Sequence, residues 1–201
     1  YLLISSTRPG LLPPNLQGLW ANTTYPPWYG DYHLDVNVQM NHWPVEVTNL
    51  PMLNEPFYEL INGLVKPGRR TAKAYFNAKG WMAFSITNIW GYTTLSDGSR
   101  FIGSGWLCQL LWDHYAFTQD RTYLEKIYPI IKGAATFYLS ALVKYPANGW
   151  LVMAPSTSPE NQFRFLNGKA ASLGVGSTID NQIIRHLFSH VLSAWELLET
   201  V

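Results

Sequence analysis

Two clusters of side chains in this sequence have the types and spacing for proton-transfer chemistry. In Met153-Ala-Pro-Ser-Thr-Ser-Pro-Glu160-Asn161, one carboxyl follows two prolines and precedes an amide. A loop stiffened in this way could bury Glu160 against aromatic rings and keep it protonated near neutral pH, ready to donate to a glycosidic oxygen. A loop glutamate capping a neighbouring turn would explain the same residues. Glycoside cleavage needs a second group across the bond, and inversion needs one that activates water. Asp35 and Asn37 are the candidates. They lie in the stretch from Asp31 to Glu46, where His33, Asp35, Asn37, Gln39 and Asn41 alternate with Leu34, Val36, Val38 and Met40. An extended or irregular backbone would set all five polar side chains on one side, a row suited to a polyol. A half-buried strand whose polar face meets only water fits the alternation equally well.

Other chemistries find less support. His186 and His190 form an i, i+4 pair, but no third ligand lies nearby and the His-Glu-x-x-His motif is absent, so a structural pair is the better reading. Gly174-Val-Gly176 lacks the third glycine of a dinucleotide fingerprint. Ser104 sits between glycines without completing Gly-x-Ser-x-Gly, and Cys108 falls inside an apolar helical stripe. Asp113, Asp120, Glu125, Glu196 and Glu199 belong to solvated helix faces and caps, and Asp180, three residues after Ser177, to a helix start. No cofactor or metal is expected.

The composition agrees with a neutral ligand. Of 201 residues 47% are hydrophobic, enough for a sizeable core. A formal charge of +1, with no runs of Lys or Arg, argues against nucleic acid as a partner. Nine tryptophans and an aromatic content of 15% fit stacking on pyranose faces as well as a large helical core. Cys108 is the single cysteine, which excludes an intrachain disulfide framework. No apolar run approaches the roughly 20 residues of a membrane span. Tyr1-Leu2-Leu3-Ile4-Ser5 lacks the charged start of a signal peptide; the expected location is nonetheless secreted or periplasmic.

These residues need elements to position them. Residues 1–30 hold too many prolines and glycines for a long helix and read as ordered loop, with Trp20, Tyr25, Trp28, Tyr29, Asn15 and Gln17 on a packing or binding surface. Residues 52–76 read as helix, broken in two at Gly63 and Pro67-Gly68. From Gly80 to Phe101 a long loop with short strands is expected, Asp97-Gly98 marking a turn. A helix from Gly103 to about Thr118 and a second starting at the capping box Thr122–Glu125, interrupted before Pro129, predict an antiparallel hairpin. Residues 146–176 read as loop. Ser177 begins a last helix, with Ile179, Ile183, Leu187, Val191 and Trp195 four apart. The expected class is all-α, with helix hairpins joined by long loops as in a partial toroid.

Several blocks together resemble the glycoside hydrolase family 95 α-L-fucosidases. They are Arg8-Pro9-Gly10, Pro13-Pro14-Asn15-Leu16-Gln17-Gly18-Leu19-Trp20, Asp31-Tyr32-His33, Asn37-Val38-Gln39-Met40-Asn41-His42-Trp43-Pro44 and Pro155-Ser156-Thr157-Ser158-Pro159-Glu160-Asn161. The resemblance implies an (α/α)6 catalytic toroid, inversion, and hydrolysis of terminal α-1,2-linked L-fucose from an oligosaccharide or glycan; some relatives act on L-galactose. It makes Glu160 the general acid, Asn37 one of two amides holding the water, and His33 a sugar contact. Trp20, Asn88, Trp90 and Asn161 are further candidate sugar contacts, with Gln39 and Asn41 as support. In the family the first amide of the pair is asparagine; here it is Asp35, which acts as the base itself or alters the relay. The aspartate that polarises those amides has no counterpart before Val201. The pattern still running at Val201 and the roughly doubled length a twelve-helix toroid needs lead to the expectation that residues 1–201 are about half of one catalytic domain, inactive alone. A non-catalytic carbohydrate-binding helical module is the alternative.

Overall fold

The computed structural model describes residues 1–18, 20–95 and 100–199. The predicted turn at Asp97-Gly98, Leu19 of the tryptophan block and the predicted continuation at Val201 lie outside the described residues. The structure is mostly helical. The elements in chain order are α1 (Leu2–Ser6), β1 (Tyr32–His33), α2 (Asn37–His42), α3 (Pro44–Val47), α4 (Asn54–Phe76), β2 (Ile86–Thr87), α5 (Gly103–Thr118) and α6 (Arg121–Ala141). They are followed by β3 (Val143–Lys144), β4 (Leu151–Val152), β5 (Ser156–Thr157), β6 (Phe163–Arg164), β7 (Ala170–Ala171), β8 (Leu173–Gly174) and α7 (Thr178–Glu199). Among the described residues, no helix is long and apolar enough to cross a membrane.

Helices α5 and α6 form the predicted hairpin. Gln119 ends α5 in the left-handed region at φ 55°, and Asp120 starts α6. The cap is Asp120 rather than the Thr122–Glu125 box: its Oδ1 accepts from the backbone N–H of Thr122 at 2.9 Å and of Tyr123 at 3.2 Å. Helix α7 packs on both members of the hairpin. Arg121, in the first turn of α6, donates to the carbonyls of Leu197 and Leu198 at the end of α7, satisfying acceptors that the helix leaves free. Leu107, Leu111, Ile127, Ile131, Phe137 and Leu187 of these three helices are buried.

The predicted breaks at prolines do not occur. Helix α4 runs unbroken through Pro67, and α6 through Pro129. Tertiary contacts hold α4 together where propensity would end it. Met82 N–H donates to Gly68 O at 3.2 Å and the Thr71 hydroxyl pairs with that of Thr93 at 2.7 Å, while within the helix Thr71 also donates to Pro67 O at 3.3 Å. A Cβ on Gly68 would stand 2.6 Å from Met82 O, so the crossing needs glycine there. The crossing segment, residues 80–85, also lies against α6. Trp81 is fully buried, with its Nε1–H on Ile130 O at 2.8 Å and its ring where a Cβ on Gly133 would stand, 2.9 Å from Cδ1. Emptying such a site costs about 3–5 kcal/mol.

The long loops carry short antiparallel ladders. Strand β1 pairs with β2 through Tyr32↔Thr87 and His33↔Ile86, as the predicted short strands in 80–101 require. The segment 146–176, expected to be loop, holds the two-residue ladders β5–β8 and β6–β7, and its strand β4 pairs back onto β3 just before it. The alternating strand over Asp31–Glu46 is corrected. After His33 the chain turns, and residues 37–42 form α2. Its helical period buries Val38, Gln39 and His42 and exposes Met40. A period of 3.6 scatters side chains that a period of 2 would align.

Candidate active site

The cleft is built where the Asp31–His42 turn, the crossing segment and the Glu160 ribbon meet. Leu34 N–H donates to Ser85 O at 2.8 Å, which fixes the turn after β1 against the segment anchored by Trp81. Buried Gln39 reaches back from α2, its Nε2 on Leu34 O at 2.6 Å. Between these two ties Asp35 is presented to the cleft with only 4% of its side chain exposed. Asn41 ties α2 to the N-terminal loop through Asn15 O at 3.0 Å, and Tyr32 does the same through its hydroxyl on Pro13 O at 2.8 Å. The expected ordered loop is therefore fastened down, and it brings Trp28 to His33, their rings edge to face at 5.9 Å.

The facing wall comes from the ribbon before α7. The Ser156 hydroxyl donates to Asp180 Oδ2 at 2.6 Å and accepts from Ser177 N–H at 2.9 Å. Asp180 is buried, and burial pushes its carboxyl above the usual range against the pull of Ser156 and Ser177. It does more than begin a helix: it fastens β5 to the start of α7, and Glu160 follows four residues after Ser156. The Glu160 side chain is 85% exposed. The expectation that its loop buries it against aromatics is corrected, since among the described residues none encloses it.

Leu16, Trp28, His33, Asp35, Asn37, Ser85, Ile86, Arg100 and Glu160 line one cleft of about 170 Å³. The small-molecule range starts at about 300 Å³, so the cleft has room for little more than a single ring. It brings together Asp35, Asn37, His33 and Glu160 of the predicted site. Arg100 was not predicted. Its Nη1 is hydrogen-bonded to Asp35 Oδ2, and its Nη2 lies 3.8 Å from Glu160 Oε1, so one guanidinium spans the two carboxyl groups. The sequence did carry a signal, because Arg100 is the single Lys or Arg between Lys79 and Arg121. Asp35 feels burial most, which pushes its carboxyl up; Arg100, by charge and hydrogen bond, and His33 pull it down, and Glu160 adds an upward push.

The other predicted contacts lie elsewhere. Trp20 lines a groove with Gln17, Met40 and Asn41. Asn88 and Trp90 line a wider groove of about 680 Å³ with Tyr29 and Asp31, and Asn88 Oδ1 holds its own loop by accepting from Trp90 N–H at 3.0 Å. Asn161 adjoins Glu160 in sequence, but it turns to Ser158 Oγ at 3.2 Å and lines a pocket with Phe163 and Ser177. His190 stacks on Trp112 at 4.8 Å, and burial with His186 nearby lowers its pKa to about 4. Among the described residues no group of three or more His, Cys, Asp or Glu is placed to hold a metal. Cys108 is buried and unpaired with another cysteine.

The whole chain, residues 1–201, matches the model of the glycosyl hydrolase family 95 catalytic domain. The chain belongs to this family. Its sequence is 40% identical to "Alpha-L-fucosidase 2" of Arabidopsis thaliana over 98% of the chain and 24% of that protein. It is 42% identical to "Probable alpha-fucosidase A" of Aspergillus niger over 97% of the chain and 25% of that protein. The chain thus spans about a quarter of the length of these family 95 relatives.

Proposed function

We infer that these residues form part of an inverting family 95 α-L-fucosidase that releases terminal α-1,2-linked L-fucose from oligosaccharides or glycans. The observation that carries this reading is the cleft in which one guanidinium spans the Asp35 and Glu160 carboxyl groups beside His33 and Asn37. Glu160, facing the open side, is the general acid that protonates the leaving oxygen. Asp35 and Asn37, on the opposite wall, hold and activate the water, the division of labour of an inverting pair. His33, steadied by Trp28, contacts the sugar. The hairpin α5–α6 with α7 against it supplies part of an (α/α)6 toroid, and the quarter share of the relatives' length supports a larger catalytic domain around it.

The deciding experiment treats 2′-fucosyllactose with the full-length parent protein and follows the freed sugar by proton NMR. The expected first product is β-L-fucose, with no turnover by the 201-residue chain alone. Initial α-L-fucose would overturn inversion, and robust turnover by residues 1–201 would overturn the larger domain. An α-L-galactoside run in parallel separates the two sugars by their difference at C6.

A further inference from the structure

We propose that Arg100 is a positioning residue of the cleft, its one guanidinium holding Asp35 at the buried wall and reaching across to Glu160 at the open one. This deepens the glycosidase reading of the cleft and rests on it. Three observations place Arg100 for the task. Its two terminal nitrogens face different carboxyl groups, Nη1 on Asp35 Oδ2 and Nη2 at 3.8 Å from Glu160 Oε1. The side chain is only 20% exposed, so the pair with Asp35 is shielded from water on both sides. Its main chain is fixed through the next residue: Phe101 O accepts from the buried Tyr138 hydroxyl at 2.9 Å, and the Phe101 ring packs edge to face on Phe76 and Phe84.

The guanidinium fork explains why arginine stands here. A lysine ammonium could hold one carboxylate as a point charge, whereas the planar fork presents separate donors in two directions. The charged and titratable groups facing Asp35 are Arg100, His33 and Glu160. Without Arg100 the two carboxyl groups would repel across the cleft, with His33 as the remaining cation when protonated, and Asp35 would take up a proton more readily. Arg100 therefore sets the pH at which Asp35 becomes an acceptor for the water proton. It also makes the hold on Asp35 respond to whether Glu160 is protonated.

The test uses the full-length protein and two readouts, the pH profile of kcat/KM and the titration of the Asp35 carboxyl by 13C NMR. If Asp35 must be ionised, kcat/KM rises with pH through its pKa. R100Q is expected to move that rising limb and the NMR midpoint upward by about 1 pH unit or more, the size of an opposite charge removed from contact. D35N should abolish the limb, assigning it to Asp35. R100K, which keeps the charge and guards against a folding defect in R100Q, should return the limb to within about half a unit while kcat stays below that of the unaltered enzyme, because the fork is lost. An R100Q variant that lowers kcat/KM by the same factor at every pH, with the Asp35 midpoint unmoved, overturns the proposal, as does an R100K variant matching the unaltered enzyme in kcat. Inactivity of the unaltered protein on α-L-fucosides would overturn the proposed function instead, and the NMR titration would still decide the role of Arg100.

Discussion

The two walls of the cleft are built in opposite ways. Asp35 has 4% of its side chain exposed, whereas that of Glu160 is 85% exposed. The first stands on a turn clamped from three directions, by Ser85, Gln39 and Arg100; the second follows a ribbon fastened behind it, where β5 pairs with β8 and Ser156 meets Asp180 and Ser177. A buried wall fixes geometry before substrate arrives, and its carboxylate bears a desolvation cost that Arg100 offsets in part. If Glu160 is the acid, as proposed, the open wall leaves it reachable from solvent, and the substrate's own apolar face would supply the enclosure.

The sharpest break of this contrast is Glu160→Gln. It should lower kcat/KM on 2′-fucosyllactose about 10²–10⁴-fold, the usual contribution of a positioned general acid, while the melting temperature stays within about 1 °C, since an exposed side chain contributes little to folding. An unimpaired variant removes Glu160 as the acid.

The next largest effect falls on the buried wall. His42 closes α2 behind the Asp31–His42 turn, with Nδ1 2.8 Å from Val38 O, its ring 4.6 Å from Phe57 and Nε2 buried with no hydrogen-bond partner. Burial lowers its pKa to about 4, against the pull of the Val38 carbonyl. A lowered histidine pKa stabilises the fold above about pH 6.5, and this stability is lost as pH falls through about 4, by up to about 3 kcal/mol. Asp35 and Asp180 act in the other sense, because raised carboxyl pKa values favour the fold in acid and lose that contribution as pH rises. Urea denaturation from pH 7 to 4 should therefore show a falling midpoint that His42→Leu flattens. An unchanged slope in His42→Leu would place the acid sensitivity elsewhere.

Much of the scaffold was legible because long helices announce themselves by period, and α5, α6 and α7 lie where their apolar spacing puts them. The failures share one cause, contacts between residues distant in sequence. Pro67 and Pro129 read as breaks because nothing local reveals that Met82 and Trp81 will cross the helices there. The row from His33 to Asn41 read as one face because an alternating pattern is also compatible with a two-residue strand, a turn and a helix. In the site, His33, Asp35, Asn37 and Glu160 were legible as types in a motif. Arg100 was not, since its partners are 65 residues before it and 60 after. Trp20, Asn88 and Trp90 have side-chain types suited to a sugar, but type alone does not say which of several grooves a loop will face.

On the open wall, Asp180 should matter through position more than bulk. Asp180→Ala leaves the Ser156 hydroxyl without its buried acceptor and removes a hydrogen bond to a carboxyl, a loss of about 1.5–3 kcal/mol. Asp180→Asn keeps an acceptor at the same place and should cost less than half as much. Because Glu160 is carried by this ribbon, kcat should fall in the alanine variant and recover in the asparagine one, measured beside the melting temperature. Equal kcat in both would show that the ribbon holds Glu160 without the anchor.

The smallest expected effects separate the cleft from the grooves beside it. Trp28 sits edge to face with His33 and lines the cleft, while Trp90 is 86% exposed in the groove with Asn88. Trp28 has a left-handed backbone, φ 57°, so asparagine is the replacement that keeps its conformation. Trp28→Asn should raise KM for an aryl α-L-fucoside about 2- to 10-fold, the size of one aromatic contact, with kcat nearly unchanged. If the sugar is held between Asp35 and Glu160 as proposed, Trp90→Ala should change both constants by less than about 2-fold on the same short substrate. A larger effect of Trp90 than of Trp28 would mean that the sugar lies in the wider groove, and the cleft spanned by Arg100 would then be a structural ion pair.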